Sequence, residues 1–197
     1  MSEAGTPPTS ESSPSQSSTS ESPDTEEQSP QDQGPPPAPR LHGQPLAQSL
    51  GAWVVHTDAE GYLPLAKALR ADGYNMFVGL TGVDYLNHPG RDLPAGVVAH
   101  RFEVVVELMA MATRNRLRIR CQVPGNDPHL PTLFDIWPGS EAHERETYDL
   151  FGVVFDGHPD PSRILMPEDW EGHPLRKDYA SGRIPVQFKE APGGHSN

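Results

Sequence analysis

The sequence predicts an α+β fold in which an antiparallel or mixed sheet is covered by helices. Residues 101–108 and 116–123 alternate apolar and polar side chains, which is the pattern of two half-buried strands. From Tyr62 onward, apolar residues recur at the spacing of one helix face. Residues 144–179 are dense in Pro, Gly and charged residues, which predicts an extended Pro-rich docking segment that follows the sheet and its helices.

The first 45 residues differ in composition from the rest of the chain. Residues 1–40 contain ten Ser, nine Pro, no aromatic side chain, and seven acidic residues against Arg40 alone. Such a composition cannot bury enough apolar surface to offset the entropy lost on ordering. We therefore predict a disordered acidic Ser/Pro-rich tail over residues 1–45, a folded domain over residues 46–180 and a C-terminal extension over residues 181–197.

The net charge, the absence of long apolar runs and the cysteine count restrict which partners, compartments and cofactor sites are compatible with this sequence. The net charge of −12 disfavours a nucleic-acid backbone or an anionic lipid surface as the main partner. Residues 1–20 lack the basic and apolar regions of a signal peptide, and no apolar run reaches the length of a membrane span. Cys121 is the single cysteine, which excludes an internal disulfide and a metal or iron–sulfur site built from this chain's thiolates alone.

The first predicted helix covers residues 62–72. Thr57 and Asp58 are the candidates for capping it, because both carry a short side-chain oxygen before the apolar pattern begins. Pro64 is expected in the first turn, where a missing backbone donor does no harm. Gly73 lies where a C-terminal cap is expected.

Four stretches are predicted as strands. The apolar run 52–55 is expected to open the sheet, and residues 74–85, interrupted by two glycines, to form a strand with a bulge or bend. Residues 101–108 and 116–123 are joined by a short polar connection, which predicts an antiparallel hairpin with one buried face.

The two faces of the second hairpin strand differ in character. Cys121 falls on the apolar face and is expected to be a small buried side chain. Arg116, Arg118 and Arg120 alternate onto the opposite face, which we interpret as solvated, with a docking surface for acidic groups as the alternative.

A second helix is predicted between Ser140, as its N-cap, and Gly152, as its C-terminal glycine. Glu144 would share a face with Tyr148 and Phe151. A buried carboxylate is costly unless it is paired, so we expect Glu144 to have a basic partner.

The segment 144–179 allows three interpretations, of which the first is a metal or hydrolytic site. His158, Asp160 and His173, with Glu146 or Asp169, supply suitable ligand atoms. Each histidine directly precedes a proline, which forces extended or turn backbone and does not give the helical spacing of a zinc protease site.

The second interpretation is local pairing without further function. The histidines would bond to loop carbonyls, Arg163 would pair with Asp160, and Arg176 or Lys177 would pair with Asp178. Such pairs contribute little free energy when they are exposed.

The third interpretation is a docking segment that ends in residues 173–179. Prolines stiffen it before binding, which lowers the entropic cost of association. Arg176 and Tyr179 belong to residue types that dominate interface energies, and the cationic pair Arg176 and Lys177 would meet an acidic surface. A free-standing adaptor protein would carry a docking segment of the same kind.

The segment also resembles a known family. Glu144-Arg145-Glu146, Gly157-His158-Pro159-Asp160 and Gly172-His173-Pro174-Leu175-Arg176-Lys177-Asp178-Tyr179, with fixed spacings between them, look like the signature of the thirty-kilodalton subunit family, the C subunit of bacterial respiratory complex I. Weaker resemblance extends upstream, so that it covers roughly residues 53–179.

The resemblance implies a structural component of a proton-pumping NADH:quinone oxidoreductase. Such a component binds no flavin, cluster or metal, since the FMN and iron–sulfur clusters belong to partner subunits. It lies in the peripheral arm, on the cytoplasmic side of the cell inner membrane, bracing the D subunit near subunits B and I. Catalysis would belong to the complex and not to the isolated chain.

The resemblance also implies that the signature positions lie at the interface with the D subunit. Ten of them are expected to form a buried polar network there: Glu144, Arg145, Glu146, His158, Asp160, Arg163, His173, Arg176, Lys177 and Asp178. The other signature positions are Asp149, Gly152, Pro159, Gly172, Pro174, Leu175 and Tyr179.

Overall fold

The computed structural model of the protein describes residues 39–180. Strands β1 (Arg40–Leu41), β2 (Gln44–Ser49) and β3 (Ala52–Asp58) open the sheet, each antiparallel to the next. Residues 40–45, which the composition places in the tail, therefore contribute to the sheet. Leu41 accounts for this difference, because it packs against the hydrophobic core.

The predictions for the two chain ends concern residues outside this range. Residues 1–38 of the expected tail and the expected extension at 181–197 lie outside the described residues.

Helix α1 (Ala59–Ala71) begins directly after β3. Asp58 caps it, with its Oδ1 accepting a hydrogen bond of 2.8 Å from the Gly61 amide. The cap starts the helix three residues earlier than predicted. Pro64 consequently lies in the second turn, not the first, and it is tolerated on the exposed side of the helix.

The apolar face of α1 is the one that the sequence predicts. Tyr62, Leu65, Ala66 and Leu69 are all buried. Gly73 adopts a φ of +94° directly after the helix, which is the left-handed conformation expected of a C-terminal glycine.

Three long strands follow as an antiparallel meander: β4 (Met76–Asp84), β5 (Phe102–Ala110) and β6 (Asn115–Val123). The register of β4 shifts between Phe77 and Gly79, so the expected bulge is present. The β5–β6 hairpin is confirmed.

The sheet has six strands in the order β1-β2-β3-β6-β5-β4. β3 and β6 pair in parallel, whereas every other neighbouring pair is antiparallel, so the sheet is mixed. Cys121 is fully buried among the core residues, as expected.

A short strand pair and a second helix complete the regular structure. Strand β7 (His129–Pro131) pairs in parallel with β8 (Val154–Asp156), and helix α2 (Glu141–Phe151) lies between them in the chain. α2 packs against β4 on the face of the sheet that α1 covers, which confirms the α+β class. No helix in residues 39–180 combines the length and apolar character needed to cross a bilayer.

The opposite face of the sheet carries a buried polar cluster. Glu103 is wholly inaccessible, accepting hydrogen bonds of 2.6 Å from Arg120 Nε and 2.5 Å from Gln122 Nε2. Arg91 reaches the cluster from the β4–β5 loop, donating to Gln122 Oε1 and stacking 3.7 Å from the Tyr85 ring centre. The expectation of a solvated face is therefore wrong at Arg120, because this loop covers that end of the sheet.

Arg116 and Arg118 fit the expectation better. Arg116 is exposed, and Arg118 pairs with Glu107 at the surface, where both side chains keep about a third or more of their accessibility, 34% and 41%.

We expect Glu103→Ala to lower the free energy of unfolding by about 3 kcal/mol, because it leaves the Arg120 guanidinium half-buried without its carboxylate. Glu107→Ala is the matched control on the same strand and face, and should cost about 1 kcal/mol or less because its pair is exposed. Urea denaturation of both variants measures the difference; equal losses would contradict the distinction.

Candidate functional site

Residues 157–179, called the strip below, contain no helix or strand and are held by the end of α2. Asp149, in the last turn of α2, has no accessible surface. Its Oδ1 accepts a hydrogen bond of 2.6 Å from Arg163, and its Oδ2 accepts three from the consecutive amides of residues 164–166, at 3.1, 2.8 and 2.8 Å. One carboxylate therefore fixes a whole turn of the strip.

The same contacts determine the protonation state of Asp149. Burial alone would raise its pKa, but the Met166 amide, the Arg163 guanidinium and the neighbouring amides more than offset burial and lower it. Asp149 is therefore a carboxylate at neutral pH.

The strip also supplies donors to the carbonyls that α2 leaves open at its C-terminus. His173 Nδ1 lies 3.0 Å from the Asp149 carbonyl oxygen, the Leu175 amide donates to Leu150 at 3.0 Å, and Arg176 Nε donates to Phe151 at 2.6 Å. Burial lowers the pKa of His173, which keeps its ring neutral. The cationic Arg176 also complements the negative end of the helix dipole.

Gly152, which the sequence predicts as the C-terminal glycine of α2, allows His173 and Arg176 to approach the end of the helix this closely. Its φ of +73° lies in the left-handed region, and a Cβ there would lie 2.6 Å from the His173 ring and 2.7 Å from the Arg176 guanidinium. A side chain at this position would therefore push the strip away from α2.

Arg145, one turn before Asp149, holds the beginning of the strip. Its guanidinium donates to the carbonyl oxygens of Ser162 and Arg163 at 3.2 and 3.1 Å and to the Ser162 hydroxyl at 2.9 Å. It also pairs with Glu141 at 3.4 Å and Asp160 at 3.3 Å. The interpretation that paired Arg163 with Asp160 is wrong, because Arg163 is engaged by Asp149.

Glu144 is fully buried, and both of its hydrogen-bond donors are neutral, although a basic partner was expected. The Thr132 hydroxyl and the Leu133 amide donate to its two oxygens at 2.5 and 2.8 Å. The nearest titratable nitrogen, His158 Nε2, lies 3.8 Å away. Burial raises the pKa of Glu144, and the two hydrogen bonds offset part of the rise. Each oxygen of the buried carboxyl therefore has its own hydrogen-bond donor.

His158 uses both ring nitrogens within the chain. The Asp160 amide donates to Nδ1 at 3.1 Å, so the ring proton lies on Nε2, 3.1 Å from the Glu141 carbonyl oxygen. Within residues 39–180 no three His, Cys, Asp or Glu side chains are grouped as metal ligands.

The end of the strip crosses to the sheet. The Lys177 amide donates to Asp84 Oδ2 at 2.9 Å, and Asp178 pairs with Arg101 at 2.7 Å. Asp178 therefore does not pair with Arg176 or Lys177, contrary to the second interpretation. The guanidinium of Arg176 lies 5.1 Å from the ring centre of Phe102.

The other predicted positions lie at the surface or in turns. Gly172 accepts a bond of 3.0 Å from Arg163 through its carbonyl, and the Tyr179 amide closes a turn on the Arg176 carbonyl. The remainder are exposed or half-buried, without a side-chain hydrogen bond in residues 39–180: Glu146, Pro159, Pro174, Leu175 and Lys177. The polar network that the resemblance places at an interface thus forms largely inside this chain.

Sequence reasoning missed the partners that lie far from the strip in sequence. Asp84 and Arg101 are joined by hydrogen bonds of 3.1 and 2.9 Å, and Asp84 also anchors the strip. Arg101 lowers the pKa of Asp84 against the effect of burial. The position of Asp84, an acidic residue at the end of an apolar strand, could have indicated that it anchors another part of the chain. Nothing in the sequence around Thr132 indicated that it would bond to Glu144.

We expect Asp149→Ala to lower the free energy of unfolding by about 3 kcal/mol, because Arg163 and three amides lose their acceptor together. Limited proteolysis should then cut within the strip first. Glu146→Ala is the control, since it removes an exposed carboxylate from the same helix. A variant whose strip resists proteolysis like the unaltered chain would contradict the anchoring role.

The lowered pKa of Asp149 predicts a pH dependence. Its stabilising effect is present above the unfolded-state pKa of about 3.9 and is lost as the pH falls through the lower folded-state value. Between pH 5 and 2, about the window of that loss, Asp149→Asn should lose less stability than the unaltered chain. Denaturation curves at several pH values test this, and parallel losses in the two proteins would refute it.

With the geometry established, comparison with known proteins places the chain. Residues 55–184 match the family described as respiratory-chain NADH dehydrogenase, 30 Kd subunit. A relative from Nocardioides sp., named as the C subunit of NADH-quinone oxidoreductase, is 43% identical over 142 residues, which are 71% of this chain and 53% of the relative. One of the same name from Acidothermus cellulolyticus is 44% identical over 144 residues, 72% of this chain and 70% of the relative.

Two solved structures resemble the fold. A trypsin-resistant fragment of Nqo5 has a TM-score of 0.53 and 37% identity, covering 60% of this chain and 89% of the fragment. A chain of an archaeal membrane-bound sulfane sulfur reductase has a TM-score of 0.61 at 18% identity, covering 78% and 88% of the two chains, and shows likeness of fold alone.

The chain spans about half the length of the first relatives that it matches, 53% and 55%. The family match nevertheless includes both helices, strands β4 to β8 and the whole strip. The chain therefore belongs to the 30-kilodalton subunit family of the respiratory-chain NADH dehydrogenase.

Proposed function

We propose that the chain is a cofactor-free structural component of the peripheral arm of a proton-pumping NADH:quinone oxidoreductase. It would brace the D subunit, next to subunits B and I, on the cytoplasmic side of the inner membrane. The names of its relatives support membership of the complex. The complex would carry out electron transfer from NADH to quinone, with the FMN and iron–sulfur clusters in partner subunits.

The observation that carries the proposal is the set of apolar side chains that the strip exposes. Leu165 is 60% exposed, Leu175 45% and Ile164 41%. Apolar residues that are exposed together on an anchored segment indicate a protein interaction site more strongly than apolar residues that are exposed singly. The strip thus offers a surface for a neighbouring protein of the complex.

The anchoring makes this surface ready for binding. The Asp149 carboxylate holds the amides of Ile164 and Leu165, and the Leu150 carbonyl holds that of Leu175. Backbone that is ordered before association loses little entropy when a partner binds. The buried network therefore serves the interface indirectly, by fixing the side chains around it.

Exposed charges accompany the apolar side chains. Lys177 and Glu146 are exposed without a side-chain bond in the described part of the chain. In an interface, such groups contribute to the rate and specificity of association more than to affinity.

Purification from mild-detergent extracts tests the proposed function directly. The tagged chain should bring down subunits B, D and I together with NADH:quinone oxidoreductase activity. A partner-free chain that binds metal would instead support the hydrolytic interpretation, and a partner-free chain without metal would leave a free-standing adaptor; either result contradicts the proposal.

Leu165→Asp should lower the yield of assembled complex roughly tenfold, because one buried leucine is worth about 1.5–3 kcal/mol. The urea midpoint of the isolated chain should not change, since Leu165 is exposed. Val98→Asp is the control, at a position that is 70% exposed in the β4–β5 loop. Equal yields for the two variants would remove the strip from the interface.

A further inference from the structure

The helix face of the sheet is uncovered beyond the C-terminal end of α1. Gly73 turns the chain towards β4 after α1 ends. On the helix face of β3, Val55 and Thr57 are buried, whereas Trp53 near the start of the strand is exposed. The first residues of β3 are therefore uncovered on this face.

A groove of about 520 Å³ occupies this place. Its floor and walls are apolar and aromatic, with Leu46, Trp53, Tyr74 and Leu117 among the lining residues. Trp53 is 46% exposed, whereas Trp137 in the core is 3% exposed. Tryptophan and tyrosine are enriched at the energetic centres of interfaces, so an open tryptophan in a groove suits a binding surface.

The groove is basic in an acidic chain. Arg114 lines it from the β5–β6 turn, is exposed, and pairs with no carboxylate within residues 39–180. Arg116 also borders the groove, but its side chain belongs to the opposite face of β6. No Asp or Glu is among its described lining residues. Asp72, at the end of α1, is engaged by His42 at 2.6 Å. Local charge therefore favours an anionic group, although the whole chain carries −12.

Two hairpin turns at this end of the sheet are conformationally strained. Leu50, between β2 and β3, has a φ of +50° and is fully exposed, and Arg114, between β5 and β6, has a φ of +58°. Such turns favour asparagine or glycine, not leucine or arginine. Strain of this kind is concentrated at ligand-binding sites, and here it presents an apolar and a basic side chain beside one groove.

We propose that this groove binds a short acidic segment of a partner protein. An apolar side chain of the segment would pack against Trp53 and Tyr74, and a carboxylate would bond to Arg114 in the β5–β6 turn. A protein segment is favoured over nucleic acid or anionic lipid, because the net charge of −12 repels extended polyanions while one arginine suffices for one carboxylate. The groove lies near strands β1 to β3, whereas the strip is attached to β4 at the other edge of the sheet. The groove is therefore a second binding surface, separate from the one that the proposed bracing role uses.

Site-specific photo-crosslinking in the native host tests the proposal. The full chain would carry benzoylphenylalanine at the position of Asn115, which lines the groove, and in a control at that of Lys67, which is exposed on α1. The Asn115 position should give an adduct whose crosslinked peptide, mapped by mass spectrometry, contains acidic residues beside an apolar one. The Lys67 position should not give that adduct.

Charge reversal decides whether Arg114 recognises the segment. Arg114→Glu should reduce the adduct about tenfold, and Lys67→Glu, an equal charge change outside the groove, should leave it unchanged. A synthetic copy of the mapped segment, titrated by tryptophan fluorescence, should bind the Arg114→Glu chain about tenfold more weakly. Urea midpoints confirm that both variants remain folded.

Several outcomes would overturn the proposal. One is the absence of an adduct from the Asn115 position, and another is an adduct with a second copy of the chain, with lipid or with nucleic acid. A crosslinked segment without acidic residues would also overturn it. So would an adduct whose yield is unchanged in Arg114→Glu.

Discussion

The rest of the structure depends on the hydrogen bonds that cap the C-terminal end of α2. A helix end presents unpaired carbonyls, and here His173, Leu175 and Arg176 lie against those of Asp149, Leu150 and Phe151. The dependence is mutual, because the strip has no helix or strand of its own and would lose its backbone partners without the helix. Residues that look like a binding motif in sequence are thus first a folding motif.

Two buried carboxylates organise opposite faces of the sheet by different means. Asp149 uses backbone amides and one arginine, whereas Glu103 uses side chains from a neighbouring strand and a loop. Asp84 connects the layers, since it bonds to Arg101 at the end of β5 and to the Lys177 amide in the strip. The result is a rigid body that displays apolar side chains at defined positions, which is the physical requirement for a bracing role.

Local patterns in the sequence predicted the long strands, the buried face of α1 and the glycines that end both helices, because each depends on neighbouring residues. The edge strand β1 and its neighbour β2 escaped notice, since they are short and polar. The partners in the strip could not be found in this way: 93 residues separate Asp84 from Lys177. The only basic group near Glu144 in the described chain is His158, 3.8 Å away, while its hydrogen bonds come from the neutral donors Thr132 and Leu133, which the sequence pattern does not indicate.

The parallel pairing of β3 with β6 has a consequence for how the chain folds. β4, β5 and β6 join neighbours in sequence, so this meander can form from local contacts, whereas β3 must wait for a loop of more than fifty residues to close. Sequence-distant pairings slow folding. During synthesis the N-terminal strands emerge first but have no edge to join until β6 is complete, and the strip can settle only after α2 has formed. The segment that carries the family signature thus depends on α2 for its conformation, not on the pairing of β3 with β6.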